Sequence, residues 1–179
     1  YRGKLRSIKH TDKVRGDLAL NFFEQAGKMG CRIVVSNRES SKSFKKALKN
    51  IDKIRVIHTK SIKRSPAKRQ ALKIASKMPG AKIILITDPE KVSLLSDCLK
   101  QIIEPVLNNK ADIVVPKRNN KLFRETYPDY MYESEIEANE LYNETLRSKG
   151  ILSKNDEDYD WFFGPRVIVN DPRIIRFFL

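Results

Sequence analysis

The sequence has little cysteine, no long hydrophobic run and no low-complexity tract, and each absence narrows the class of protein. A membrane-spanning helix needs about 20 consecutive apolar residues, and no run among the 179 residues approaches that length. Residues 1–17 are polar and basic, so they lack the pattern of a signal peptide. The two cysteines, Cys31 and Cys98, lie far apart beside apolar segments, which predicts reduced thiols and a reducing compartment such as the cytoplasm.

Several catalytic and binding motifs are also absent. The sequence has no Gly-x-x-x-x-Gly-Lys-Ser/Thr segment, which excludes a P-loop, and no Gly-x-Gly-x-x-Gly segment after a strand, which argues against an ordinary dinucleotide site. It has no Gly-x-Ser-x-Gly elbow of the hydrolase type. Its histidines, His10 and His58, are isolated and have no cysteine or histidine at zinc-ligand spacing. His58 ends a strand and is more typical of a core or rim histidine than of a catalyst.

The sequence does have an excess of positive charge. Its 36 Lys and Arg residues outnumber its 22 Asp and Glu residues, and the formal net charge is +14. Such a charge attracts anions, so it favours nucleic acid, an acidic membrane or a phosphorylated small molecule as partner without choosing among them. The basic residues are spread over the whole chain rather than collected in one tail, which is typical of a solvated surface.

Four short apolar runs rich in Ile and Val predict strands buried on both faces of a parallel sheet, because they show little polar alternation. These runs are 31–36, 54–59, 81–87 and 111–116. Helix-period segments lie between them, and one begins with Ser65, a capping residue, followed by a proline. The alternation predicts a single α/β domain over residues 1–179, with a three-layer, mostly parallel open sheet and helices on both faces.

The character of the sequence changes after Pro116. The pattern predicts a polar loop, a charged helix, an acidic loop and one more strand, over residues 117–130, 133–147, 148–160 and 161–170. Asp171 then caps a last helix. An open sheet of this type normally begins with a strand, and residues 1–11 contain none. We therefore expect the first strand and the C-terminal end of the domain to lie outside this chain.

Candidate functional residues follow the predicted strands, because open α/β sheets bind ligands at the carboxyl ends of their strands. Asp88 and Glu90 follow the third run and are candidate ligands of a divalent cation that bridges a diphosphate. The alternative is that Asp88 simply caps the next helix. Basic residues follow the second run near a helix N-terminus, where they favour phosphate binding, or else form a solvated turn. Those selected as donor-binding are Arg64, Lys68 and Arg69.

The ends of the other predicted strands supply the remaining candidates. Lys117 and Arg118 follow the fourth run and have the same two interpretations, phosphate binding or a solvated turn. Asn37 follows the first run and is a candidate contact to a base or ribose, although an ordinary turn explains it equally well. Asp160 precedes the last strand and is a candidate general base, with an acidic surface loop as the alternative.

The order of these motifs resembles the GT-A fold of nucleotide-diphosphosugar glycosyltransferases, in particular a family-2-like branch. The resemblance covers about residues 12–179 and depends on the turn after each strand and on the segments DPEK, ADIVVPKR and FFGPR. It implies that Asp88 and Glu90 bind metal and the ribose-diphosphate, and that the basic residues before them contact the donor. It also implies a nucleotide-sugar-binding half, 12–118, and an acceptor and catalytic half, 119–179. The common Asp-x-Asp motif is Asp-Pro-Glu in this chain.

The leading hypothesis is therefore a glycosyltransferase that moves a sugar from a nucleotide-diphosphate donor to an unknown acceptor. In this interpretation Asp88 and Glu90 hold Mg²⁺ or Mn²⁺, basic residues neutralise the diphosphate leaving group, and Asp160 deprotonates an acceptor hydroxyl. Two alternatives stay open. One is a nucleic-acid-binding α/β module, which the +14 charge motivates. The other is a sugar-nucleotide nucleotidyltransferase, whose glycine-rich loop would precede Tyr1.

Overall fold

The computed structural model describes residues 10–37, 40–59 and 64–179, and the side chains of residues 10–12, 64 and 97 lie outside this description. The helices in the described part are α1 His10–Lys28, α2 Lys42–Lys49, α3 Arg64–Ala75, α4 Asp97–Leu107, α5 Asn120–Thr126, α6 Asp129–Ser148 and α7 Pro172–Ile175, with a 3₁₀ helix at Val92–Leu95. The strands are β1 Ile33–Asn37, β2 Ile54–His58, β3 Ile83–Ile86, β4 Ile113–Val114 and β5 Arg166–Val169. None of these helices is long and apolar enough to cross a bilayer.

The strands form two small sheets. In the first, β1 and β2 are parallel, with Ile33 opposite Ile54. In the second, β5 lies between β3 and β4 and is antiparallel to both. Strand β5 is the central strand of this sheet, and its residues Val167 and Ile168 are completely buried.

The mixed α/β class and the four predicted strands are confirmed, whereas a single, mostly parallel open sheet is not observed in the described residues. The parallel pairing of the first two runs is present. The third and fourth runs do not pair with each other, because β5 separates them. The first and third runs are not paired either, so the structure has two sheets rather than one. Periodicity reports burial but not which strand is the neighbour, and that choice was decided by tertiary packing.

Two apolar clusters hold the elements together. One contains Phe22 and Phe23 of α1, with residues of α2, β1 and the 3₁₀ helix. The other contains Leu72 of α3 and Ile84 and Ile168 of the second sheet, with α7. Helix α3 packs on both β1 and β3 and therefore lies across the space between the two sheets.

Local capping explains several helix starts. Ser41 Oγ accepts a hydrogen bond from the Phe44 N–H at 3.1 Å and caps α2. Asp171 caps α7 as predicted, accepting from the Arg173 N–H at 2.7 Å. The predicted polar loop over 117–130 contains α5, which Asn119 caps. Helix α3 begins at Arg64, so the predicted cap Ser65 lies inside its first turn.

Candidate functional site

A large cavity opens where β1 and β3 end. Its volume is about 1120 Å³, and its walls include Ser36 at the end of β1 and the segment 87–91 after β3. We call its charged end the cavity mouth, which is lined by Arg15, Lys68, Asp88, Glu90, Lys91, Arg118, Glu135 and Phe163. This position, at the carboxyl ends of strands, is where open α/β sheets place their ligands.

Asp88 and Glu90 each have a basic partner at the mouth. Lys68 Nζ lies 3.2 Å from Asp88 Oδ1, and both side chains are nearly half exposed. Arg15 forms an ion pair with Glu90. Asp88 does not cap the 3₁₀ helix that follows, since that helix starts after Lys91 without a side-chain cap. Among the described residues, the carboxylate of Asp88 has this one exposed ion pair, an interaction worth about 0–1 kcal/mol.

Lys91 is a half-buried cation at the same mouth. Its ammonium lies 4.6 Å from the centre of the Phe163 ring. In the part of the chain that the structure describes, no carboxylate lies within ion-pair distance of it. Burial lowers the pKa of the Lys91 amine below its ordinary value, against the opposing effect of Asp88. A partly desolvated ammonium without a close counter-ion gains from an incoming anion.

Arg118 is the centre of a buried ionic cluster at the mouth. Its Nε and Nη2 donate to the two oxygens of Asp160, each at 2.7 Å, and its Nη1 donates to Glu135 Oε2 at 2.6 Å. The guanidinium lies 3.6 Å from the centre of the Phe123 ring. Only 8% of the side chain of Arg118 is exposed. The guanidinium is thus occupied by two carboxylates rather than available to a diphosphate.

Asp160 is buried, and both of its carboxylate oxygens accept hydrogen bonds. Besides Arg118, it accepts hydrogen bonds from the Asn139 side chain and from the Phe163 N–H, each at 3.2 Å. Burial acts to raise the pKa of Asp160, but the hydrogen bonds from Arg118 outweigh it and hold that pKa below its ordinary value. A carboxylate with a lowered pKa and occupied oxygens is a poor proton acceptor.

A polar stripe on α6 fixes the loop that carries Asp160. Asn143 is buried, and its side chain bonds to the Tyr159 backbone N–H and C=O, at 3.1 and 3.0 Å, and to the Trp161 indole at 3.2 Å. Asn139 Oδ1 accepts from the Trp161 N–H at 2.8 Å. Glu135, Asn139 and Asn143 are four residues apart and therefore share one helix face.

This loop ends beside the β3 turn. Gly164 has φ +97°, and a Cβ added there would lie 3.7 Å from Asp88 Oδ2. Arg166 donates to the Pro165 and Trp161 carbonyls at 2.6 and 2.9 Å and so closes the loop on itself. The α6 stripe therefore places Gly164 near the carboxylate of Asp88 and Phe163 next to Lys91.

The structure brings together some predicted site residues but not others. Asp88, Glu90, Lys68 and Arg118 line the cavity, and Asp160 supports Arg118 from behind. Besides Asp160, the predicted residues that do not line it are Asn37, Arg69 and Lys117. Of these, Asn37 is buried and donates to Ser40 Oγ at 2.9 Å, and the other two are exposed. The side chain of Arg64 lies outside the described part of the chain.

A divalent cation fits these carboxylates only in part. Within residues 10–37, 40–59 and 64–179, no three His, Cys, Asp or Glu side chains form a group that could hold a metal ion. Mg²⁺ is usually held by one or two carboxylates together with phosphate oxygens. Asp88 and Glu90 line the same cavity as two candidate carboxylate ligands, and each is paired with a basic side chain.

Several mouth residues were not selected from the sequence. Arg15 lies on α1, far from Glu90 in the chain, and no local pattern connects the two. Lys91 directly follows the acidic turn 88–90, and this position in the sequence could have identified it as a candidate site residue. Glu135 was detectable, because a stripe of polar residues at a spacing of four within an amphipathic helix indicates a polar packing face.

Comparison of the chain with protein-family models, with curated protein sequences and with solved structures gave no match.

Proposed function

We propose that this chain forms part of a glycosyltransferase that binds a nucleotide-diphosphate sugar at the cavity mouth and transfers the sugar to an acceptor. The observation that carries the proposal is Lys91, a half-buried ammonium after β3 that has no carboxylate at ion-pair distance among the described residues. A diphosphate would bring phosphate oxygens within ion-pair distance of this ammonium, and the neighbouring carboxylates suit a cation bound to the same phosphates.

In this proposal Lys91 and Lys68 neutralise the diphosphate as it leaves. Charge that develops on the leaving group is stabilised most where water is excluded, and Lys91 is the more buried of the two. Lys68 reaches the phosphates by giving up its exposed ion pair with Asp88, which costs little. Asp88 is then free to hold Mg²⁺ or Mn²⁺, which would supply further positive charge to the phosphates.

Arg118 and Asp160 have a positioning role in this proposal. Asp160 binds both Arg118 and the N–H of Phe163, so it sets the position of the aromatic ring above Lys91. Because the pKa of Asp160 is lowered, we do not assign it the proton transfer that its place in the sequence suggests. Phe163 offers the mouth a flat apolar surface, which suits a nucleobase or a sugar ring.

The proposal is tested by calorimetry with UDP, GDP and ADP, with and without Mn²⁺. We expect wild-type chain to bind at least one of them, and Lys91→Ala to weaken that binding by about 1–3 kcal/mol, the usual cost of a charge-assisted hydrogen bond. Lys110→Ala, an exposed lysine away from the mouth, is the control and should bind as wild type does. Equal affinity in both variants, or no binding by wild type, refutes the assignment.

The competing nucleic-acid hypothesis makes the opposite prediction for Asp88. Asp88→Asn removes a carboxylate that repels a polyanion, so RNA or DNA binding should become tighter and keep a steep salt dependence. In the glycosyltransferase proposal the same variant loses the Mn²⁺-dependent part of donor binding. A nucleotidyltransferase would instead be recognised by binding of a nucleoside triphosphate together with a sugar phosphate.

A further inference from the structure

Helix α2 has a row of lysines on the side that is turned away from the core. Its other side carries Phe44 and Leu48, which are buried in the apolar cluster that contains α1 and β1. The lysines of the exposed side are Lys42, Lys45, Lys46 and Lys49. At about 3.6 residues per turn, these four side chains leave the helix within about one third of its circumference. They therefore form one surface, which we call the α2 lysine face.

The α2 lysine face has no carboxylate at ion-pair distance in the part of the chain that the structure describes. Exposed cations elsewhere do have such a partner, as Lys13 has in Asp17 at 2.7 Å. Residues 40–59 contain six Lys and Arg residues and a single carboxylate, Asp52. Because Asp52 Oδ1 accepts a hydrogen bond from the Lys53 N–H at 2.9 Å, this carboxylate is engaged by the turn after α2. The face therefore keeps its positive charge.

The stability of α2 does not explain this arrangement. Lysines that are three or four residues apart on a helix repel each other, and every lysine of the face has two such neighbours within it. The helix dipole favours Lys46 and Lys49 in the last turn but disfavours Lys42 in the first turn, which has no acidic residue. A helix of eight residues is in addition too short to be stable without its packing. An anionic partner would replace this repulsion by attraction.

The shape of the α2 lysine face fits an extended anionic surface rather than a small anion. Lys42 and Lys49 are seven residues apart, which is about 10 Å along the helix axis. Small ligands bind in concave sites with a few converging polar groups, whereas this face is the convex side of a helix. No residue of 40–59 is among those that line the large cavity. The partner therefore presents many negative charges over an area, and it approaches away from the cavity mouth.

The composition of the face favours an anionic membrane over a nucleic acid. Arginine is the residue preferred for bidentate recognition of phosphate and of bases, and α2 contains none. Binding of single-stranded nucleic acid also uses aromatic stacking, and the exposed aromatic side chains of the described residues lie on other elements. Four or more basic residues on an amphipathic helix are typical of binding to anionic lipid headgroups. We propose that the α2 lysine face binds the surface of an anionic membrane.

The attachment is electrostatic and reversible. The apolar side of α2 is occupied by the core, so the helix has no apolar side chains to insert between lipids, and charge alone holds it at the headgroups. Salt screens such an interaction, so binding weakens as the ionic strength rises. Because the face is separate from the cavity mouth, a membrane bound to it leaves the mouth open. The inference does not depend on the function proposed for the mouth.

The test is co-sedimentation with phosphatidylcholine vesicles that contain about 40% phosphatidylserine, across a salt series. We expect the wild-type chain to bind these vesicles at low salt and not to bind pure phosphatidylcholine. Lys42→Gln/Lys46→Gln should weaken binding by about 30-fold, or about fivefold for each lysine. Lys110→Gln/Lys121→Gln removes two exposed lysines of other elements, and this matched control should stay within about twofold of wild type. The α2 variant should unfold at a temperature equal to or above that of wild type, because it removes repulsion.

Three results would overturn the proposal. The first is that wild type does not sediment with the anionic vesicles at low salt. The second is an equal loss of binding in both double variants, which would assign the binding to net charge rather than to α2. The third is that Lys42→Gln/Lys46→Gln weakens binding to duplex DNA or single-stranded RNA but leaves vesicle binding unchanged, which would assign the face to nucleic acid. Binding of UDP, GDP and ADP should be the same in the α2 variant as in wild type, so a failure of the proposed donor site is recognised separately.

Discussion

Asp88 lines the cavity and Asp160 binds Arg118, which also lines it, yet the surroundings of the two aspartates are opposite. Asp160 is 7% exposed and bonds to Arg118, Asn139 and a backbone N–H. Asp88 is much more exposed and has one ion pair, with Lys68. The two carboxyl groups therefore differ in what they can bind. Asp160 holds the loop in place, whereas Asp88 can exchange its partner for a ligand at little cost.

The largest expected effect on stability comes from breaking the buried ionic cluster of Arg118, Asp160 and Glu135. Arg118→Leu leaves Asp160 buried without its main counter-ion, and breaking a buried pair from one side typically costs about 3–5 kcal/mol. Urea denaturation should show this loss in the free energy of unfolding. Arg69→Leu, at an exposed arginine of α3, should change that free energy by less than about 0.5 kcal/mol. A similar small effect for Arg118→Leu would mean that the cluster is not structural.

The same cluster makes stability depend on pH. Because the folded pKa of Asp160 is below its ordinary value, the unfolded state binds the proton more tightly, and acid favours unfolding. The contribution is fully present above the unfolded pKa of about 3.9 and is lost as the pH falls through the lower, folded pKa. The free energy of unfolding of wild type minus that of Asp160→Asn should therefore decrease from pH 6 to pH 2. A flat difference would contradict the assignment.

The α6 stripe is tested by Asn143→Ala. The substitution leaves the Tyr159 backbone groups and the Trp161 indole without their buried partner, and unsatisfied buried groups cost about 1–3 kcal/mol each before relaxation. We expect a loss of about 2–3 kcal/mol in thermal or urea unfolding, with a change in Trp161 fluorescence. Glu144→Ala, the exposed neighbour on α6, should leave both measurements close to wild type.

Gly164 lies in the loop that follows Asp160 and is close to Asp88. Substituting it should have a smaller effect on the free energy of unfolding. Gly164 has φ +97° and Gly150 has φ +69°, and only the second lies near the left-handed region that ordinary residues adopt, φ of about +50 to +70°. Gly164→Ala should therefore cost about 2 kcal/mol and Gly150→Ala about 1 kcal/mol in urea unfolding. The opposite order would show that the 161–166 loop adapts without strain.

The smallest effect on stability is expected for Asp88→Asn. The ion pair of Asp88 with Lys68 is exposed, so the free energy of unfolding should change by less than about 1 kcal/mol. If the contrast with Asp160 is correct, this stable variant nevertheless loses Mn²⁺-dependent binding of a nucleoside diphosphate. A strong destabilisation by Asp88→Asn would place Asp88 in the structural cluster instead.

The sequence by itself determined the elements and one end of the site. Runs of Ile and Val specify strands, and Asp171 followed by a proline specifies a helix start, because burial and capping act on neighbouring residues. Acidic residues directly after the third run predict that Asp88 and Glu90 lie at the carboxyl end of a strand, and both line the cavity there.

Tertiary structure alone decided which groups of this chain meet. Nothing local in the sequence places β5 between β3 and β4, pairs Arg15 with Glu90 or encloses Asp160 with Arg118 and α6. These partners are separated by long stretches of chain, so their meeting depends on how whole helices and strands pack rather than on spacing. The same packing separates β1 from β3, although both strands line the cavity. The pattern of a strand encodes its burial, whereas its neighbours are fixed only when the core assembles.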